Sequence, residues 1–413
     1  MADLAGAAIG QSGLFRQRRF VRFWIARICS AGGYQMLGVA VAWQVWEITG
    51  SAVALGLVGL AQFLPKLLLM PMAGNWADRF ERRRLVAAAQ TLQLASLLLL
   101  VWANEQGGLS PELIYALLVV NGIGRSFEMP TSQALLPALV PSAMLPRAVA
   151  MAASAFQMST IAAPVLAGFL YALGPGVVYG LASALMTLAV LSVLGARPLT
   201  EQVRMPAGRS AWRNFIDGIA FIRRERPVLG AISLDMMAVL LGGATALMPI
   251  VASEVLHTGA GGLGLLRAAP AVGALAMSLW LAHHALHRRV GRLMFGSVAI
   301  FGVATIVFGL SSSLWLSILA LAVLGAADMV SMVFRGAYIQ LATPDAMRGR
   351  VGAVNGLFIG ASNQLGEFES GLTAAWFGLV PAIVLGGVGS LLVMLLWARW
   401  FPELWRLDRL PDG

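Results

Sequence analysis

The chain has one cysteine, Cys29, and one lysine, Lys66, in 413 residues. A lone thiol cannot close an intrachain disulfide, so no disulfide framework is available to this fold. Charge is scarce too: Asp, Glu, Lys and Arg make up 12% of the chain, against about 25% in ordinary soluble domains. No GxxxxGK[S/T] pattern occurs, which removes ATP hydrolysis on a P-loop. Gly259, Gly261, Gly262 and Gly264 read as a loop and helix start, not a dinucleotide fingerprint. In place of charge the chain has apolar residues, 59% of the total, with mean hydropathy +0.79. They come in runs of about 20, long enough to span a hydrocarbon core. The runs are continuous and do not alternate with polar residues, which excludes a β-barrel. The fold class is therefore all-α integral membrane.

Twelve spans are read at about 21–47, 53–77, 84–103, 112–136, 145–172, 175–196, 227–256, 262–283, 292–311, 314–340, 350–376 and 380–401. One set of connections carries nearly all the arginine: Arg16 to Arg22, Arg79 to Arg84, Arg147, Arg197 to Arg226, Arg288 to Arg292, Arg348 and Arg350, and Arg406 and Arg409. The other set reads TGSA, NEQGGLSPE, LGPG, HTGAGG, SSS and GLVP, without arginine or lysine. By the positive-inside rule both termini and the central loop are cytoplasmic. The same placement explains the net charge of +10 without nucleic acid. The N-terminus, MADLAGAAIGQSG followed by FRQRRFVR, shows no cleavable signal. Four segments are expected: an N-terminal six-helix bundle at 1–196, a cytoplasmic linker at 197–226, a C-terminal bundle at 227–402 and a tail at 403–413. Within the linker, Trp212, Phe215, Ile216, Ile219 and Ile222 share one helical face, which predicts an amphipathic helix in the membrane interface.

The halves repeat. PSAMLPR (Pro141 to Arg147) matches PDAMRGR (Pro344 to Arg350) at an offset of 203, as Gly122 matches Gly325 and Gly168 matches Gly371. An even number of spans per half implies a parallel repeat about the membrane normal, an arrangement used by transporters. GNWADRFERRRLV, Gly74 to Val86, resembles the loop between spans 2 and 3 of the major facilitator superfamily. That resemblance implies the two-bundle major facilitator fold and a conformational latch built from Gly74, Asp78, Arg79, Arg82 and Arg83. The second-half counterpart, AHHALHRRVGR, keeps Arg288 and Arg289 but has His284 in the aspartate position. RSFEMPTSQALLPALVPSAML, with the APVLAG that follows, resembles the branch of macrolide-efflux and enterobactin-export proteins. Where that branch has Gly-Pro and paired glycines, this chain has Ala163-Pro164-Val165-Leu166-Ala167-Gly168. Tyr34 stands where an aspartate is common in the first span.

Few ionisable residues remain inside the spans, and each is expensive at that depth. Arg125 and Asp328 are repeat mates at offset 203, on spans that line the cavity in the superfamily, and Glu128 lies one turn after Arg125. Asn363, Glu367 and Ser370 share a face of span 11, whereas Glu369 groups with Ser362, Gly366 and Thr373. A break at Gly366 would change that grouping. Lys66, in the span that faces span 11 in the superfamily, is expected to pair with Glu367 or Glu369, either permanently or during transport. Asp235 reads as a proton site or a helix-to-helix hydrogen bond, and Arg335 is the remaining cation of the tenth span. Arg27 is expected to snorkel, and Trp43, Trp46, Trp397 and Trp400 to form an aromatic belt. His283, His284 and His287 have metal-like spacing but no acidic or cysteine partner, so no metal and no cofactor is expected.

The resemblance implies a transporter, not an enzyme, in the bacterial inner membrane. Its expected partners are a small amphipathic molecule such as a drug or siderophore, protons and the bilayer, and a monomer is expected. Proton-driven export, import or lipid flipping, and a non-transporting receptor or assembly role all stay open on sequence.

Overall fold

The computed structural model describes residues 13–199, 211–284 and 288–409, and every regular element among them is helical. Lipid offers no hydrogen bonds, so a chain this apolar must satisfy its backbone within each segment. The long helices are α1 (Arg18–Thr49), α2 (Ala52–Arg79), α3 (Arg82–Glu105), α4 (Pro111–Leu135), α5 (Leu145–Leu170) and α6 (Pro175–Gly195). After them come α7 (Ala211–Arg224), α8 (Arg226–Leu241), α9 (Gly259–His283), α10 (Val290–Leu310), α11 (Leu314–Ala342), α12 (Asp345–Phe377), α13 (Leu379–Trp400) and the short α14 (Pro402–Trp405). Turn chemistry sets several boundaries. Ser110 caps α4, its hydroxyl accepting from Leu113 N at 3.3 Å, and Pro111 opens the helix. Gly174 (φ 109°) and Gly378 (φ 88°) make the reversals before α6 and α13, a backbone region that strongly favours glycine.

Among the described residues, nine helical stretches are long and apolar enough to cross a membrane. The other three long helices, α1, α4 and α12, are interrupted by polar residues such as Gln35 and Gln44, Arg125 and Glu128, and Glu367 and Glu369. These helices hold most of the candidate site.

One expected span is not a single helix. The stretch read as 227–256 stops at Leu241, turns at Gly242 and Gly243, and resumes through the 3-10 turn Ala244–Leu247 into a π turn at Val251–Val255. A side chain at Gly243 would collide with the carbonyl of Gly366, so the pair of glycines lets the two backbones meet. Conversely, α12 runs unbroken through Gly366. The break lies opposite that residue, not at it.

The chain forms two compact units. The first comprises Met1–Val41 and Leu64–Ala211. In it α3 packs on α4 and α6, and arginines bond the carbonyl ends of neighbouring helices. Arg82 donates to Ala134 O at 2.9 Å, Arg83 to Leu194 O at 3.1 Å and Arg22 to Gly195 O at 2.7 Å. The second unit comprises Ala42–Phe63 and Trp212–Gly413. Its core gathers Ile232, Phe295, Val298, Phe334, Val354 and Leu404.

The linker helix α7 differs from expectation. Ile222 is buried, and Phe215 and Ile219 pack on the second unit's core, while Asp217 pairs with Arg350 at 3.1 Å. The apolar face is thus used largely against protein; Ile216 stays exposed. The side chain of Trp212 and linker residues 200–210 lie outside the described residues.

Candidate functional site

In the first unit the centre is Glu128, which is completely buried. Gly124, one turn earlier on α4, makes its position possible. A Cβ there would sit 2.6 Å from Ala89 O and 2.7 Å from Gln93 Cγ, so only glycine lets α3 come this close. The approach brings two amides of α3 onto the carboxylate. Gln90 Nε2 donates to Oε1 at 3.0 Å and Gln93 Nε2 to Oε2 at 2.9 Å. Ser30 of α1 donates a short hydrogen bond to Oε1. Arg125 donates to Oε2 at 2.9 Å, so the buried anion has four donors from three helices.

Arg125 is held on its other side by the Tyr34 ring, 4.5 Å from centroid to guanidinium carbon, and reaches Ser30 Oγ at 3.4 Å. Tyr34, in the position where the family often has an aspartate, therefore braces a cation. Arg27 and Lys66 both lie within electrostatic range of Arg125. The Nη1 of Arg27 is 3.6 Å from Met129 Sδ, and its charge also feels Glu128. Lys66 is exposed and makes no ion pair among the described residues of its unit. Arg27 and Arg125 thus share one carboxylate, and Lys66 lies within range of Arg125. The surplus positive charge is costly at membrane depth and suited to an anionic ligand.

The second unit has a different balance. Asp235 on α8 and Arg335 on α11 form a buried ion pair, with side chains 8% and 4% exposed, so Asp235 is partnered by a charge and not merely by a hydrogen bond. Asp328, half-buried on α11, has no hydrogen bond or ion pair among the described residues. Glu367 lies in range of Arg267, and its Oε2 is seated over Gly59, where a Cβ would come within 2.5 Å. Glu369 accepts from Thr373 Oγ1 at 2.6 Å. The two glutamates have separate surroundings. Asn363 turns its amide to Ile359 O at 2.9 Å.

Other sequence candidates are placed as follows. Arg79 is exposed at the end of α2, whereas the surroundings of Gly74 and the side chain of Asp78 lie outside the described residues. Trp43 is buried and donates to Glu47 Oε1 at 2.7 Å, and Trp397 donates to Ser233 Oγ at 2.9 Å. His283 and His284 bond the carbonyls of Leu279 and Trp280, and His284 stacks on Trp280. His287 lies outside the described residues, and among those described no group of three metal-capable side chains forms.

Sequence reasoning missed Ser30, Gln90 and Gln93. Gln90, Gln93 and Ser96 recur at three-residue spacing in an otherwise apolar span, which marks a polar stripe facing a buried partner.

Residues 10–409 fit the family model described as transmembrane secretion effector. Among curated proteins, the enterobactin exporter EntS of Citrobacter koseri is 30% identical over 412 residues, covering 95% of each chain. EntS of Escherichia coli O81 is 29% identical over 384 residues, covering 90% of this chain and 86% of that one. Among solved structures, a bacterial homologue of the iron transporter ferroportin superposes with TM-score 0.71 at 16% identity, covering 94% of this chain and 99% of that one. The nucleoside transporter NupG gives TM-score 0.70 at 14% identity with coverage of 94% and 99%. The chain belongs to the transmembrane secretion effector family of the major facilitator superfamily, and is a multi-pass membrane transporter.

Proposed function

We propose that this transporter exports a small organic anion of the siderophore type across the bacterial inner membrane, by alternating access driven by protons. The observation that carries the reading is the cluster of Arg27, Lys66 and Arg125, in which Glu128 neutralises Arg125 and is felt by Arg27. Such a group favours a ligand that brings its own negative charge, and Arg125, braced by Tyr34, presents donors to a planar oxyanion. Relatives named enterobactin exporters support the direction and the class of compound. Asp328, without a partner among the described residues, is the preferred proton carrier, and Glu367 the second. A carboxylate can couple transport only if its charge is free to change, which Glu128, with four donors, is not. The protein works as a monomer, with both termini on the arginine-rich cytoplasmic side.

The test is uptake of a tris-catecholate into liposomes that enclose a pH-sensitive dye, the vesicle interior corresponding to the cell exterior. Uptake should be accompanied by proton release from the vesicles. Arg125→Gln should lower uptake by ~10-fold or more, in line with about 1.5–3 kcal/mol for a charge-assisted hydrogen bond. Asp328→Asn should abolish the proton flux. Equal uptake of a neutral analogue, or full uptake by Arg125→Gln, would overturn the anion reading.

A further inference from the structure

We infer that the second unit carries a phosphate site for an anionic membrane lipid, at the arginine-rich end of α10. A cavity of about 230 Å³ opens there, lined by Arg289, Arg292, Trp405, Arg406, Leu407 and Asp408. Drug-sized sites have roughly 300–1,000 Å³. This cavity suits a headgroup phosphate with its glycerol and not a whole organic ligand.

The chain builds the cavity deliberately. After α14 the backbone turns back across the start of α10, with Val290 N donating to Asp408 O at 3.3 Å and Gly291 N to Leu407 O at 2.9 Å. Gly291 allows this, since a side chain there would strike the Leu404 carbonyl. Leu404 is fully buried, and Trp405 packs edge-on against Phe295 at 5.3 Å. Arg289 adopts a left-handed backbone (φ 60°), unusual for a side chain of its size, and Asp408 Oδ1 accepts its N–H at 3.2 Å. The positive-inside rule accounts for arginines on this side of the membrane, but not for a tail pinned so that three of them ring one cavity.

Charge balance points to the ligand. The lining carries three guanidinium groups and one carboxylate, and that carboxylate already accepts a backbone N–H. No ion pair to Arg289, Arg292 or Arg406 forms among the described residues. Arg289 and Arg292 lie at the start of a helix long and apolar enough to cross a membrane, an end that the proposed topology sets among the headgroups. Basic pockets in that position bind anionic headgroups, and each arginine contributes about 1 kcal/mol, or about fivefold in affinity.

The experiment measures thermal unfolding of the full chain in neutral detergent. The probes are soluble dihexanoyl-phosphatidylglycerol, its phosphatidylcholine analogue and inorganic phosphate. The phosphatidylglycerol should raise the melting midpoint and the phosphatidylcholine should not. Inorganic phosphate acting as strongly would keep the phosphate site but assign its natural ligand to a soluble source. In the triple variant Arg289→Gln, Arg292→Gln, Arg406→Gln, the half-saturating concentration should rise ~100-fold, three steps of about fivefold. Should that variant fail to fold, Arg406→Gln alone, on an exposed turn, should raise it about fivefold. A control with exposed arginines elsewhere, Arg84→Gln, Arg223→Gln and Arg224→Gln, should leave it unchanged. Equal loss in the control, or no loss in the pocket variants, would overturn the site in favour of diffuse surface charge.

Discussion

Glu128 and its four donors form a unit whose members depend on one another. Removing the carboxylate leaves Arg125 without its counter-charge and strands the amides of Gln90 and Gln93 and the hydroxyl of Ser30. Glu128→Ala should therefore destabilise the protein by about 3–5 kcal/mol, the range for one half of a buried ion pair. Glu128→Gln keeps the shape and part of the bonding, and should lose less. A melting series in detergent separates the two, and equal losses would show that the charge contributes little. The pair Asp235–Arg335 allows a cleaner test, because it has two members. Arg335→Met alone should cost about 3–5 kcal/mol, whereas Arg335→Met with Asp235→Leu should recover most of it, since a well-packed apolar pair can replace a buried salt bridge. If the double variant is as unstable as the single, hydrogen bonds beyond the pair are involved. The acids and bases themselves were legible in the sequence, because they interrupt otherwise apolar runs. Their partners were not: which residue meets Asp235 depends on how α8 and α11 are rotated, and no spacing along the chain encodes that.

Helices approach closely here where glycine removes the obstruction. Gly124 is the sharpest case for the site, since the atoms a Cβ would strike include the Ala89 carbonyl, which cannot swing aside. Gly124→Ala should force α3 and α4 apart, costing about 1–3 kcal/mol as an overpacked contact. It should also weaken the Gln93–Glu128 bond, so transport should fall further than the melting midpoint suggests. Gly59→Ala is a contrasting case, because its Cβ would meet the flexible end of Glu367, which can move. Stability should then change little while coupling to proton flux changes. The linker helix shows how far pattern reading reaches. Its period of apolar residues was legible, and the helix forms over Ala211–Arg224. Whether Ile222 faces lipid or protein was not, because an amphipathic stripe suits both solvents equally. Ile222→Asp should release α7 from the core and cost about 2–5 kcal/mol, as for loss of a buried Ile with an unpaired charge added.

The distribution of charge over the whole molecule was the strongest signal in the sequence, and it suggests how the chain is inserted. Arginine occupies one set of connections and is absent from the other, an asymmetry that survives errors of several residues in any boundary. This is why the multi-pass membrane class was legible while the break at Gly242–Gly243 was not: the first averages over the whole chain, the second depends on one contact with Gly366. The proposed orientation makes a direct prediction. In a background with Cys29→Ala, removing the one buried native thiol, Gln106→Cys should react with an impermeant maleimide on intact cells. Gln106 is exposed in the arginine-free connection after α3. Arg409→Cys, exposed beyond α14, should react only once the membrane is opened. Labelling of both from outside would mean mixed insertion and would remove the basis for assigning export. Labelling of Arg409→Cys alone would invert the protein and place the arginine pocket of α10 in the outer leaflet, where the cytoplasmic surface potential could not hold an anionic lipid against it. Topology and lipid site therefore share a premise, and labelling tests that premise before any substrate is known.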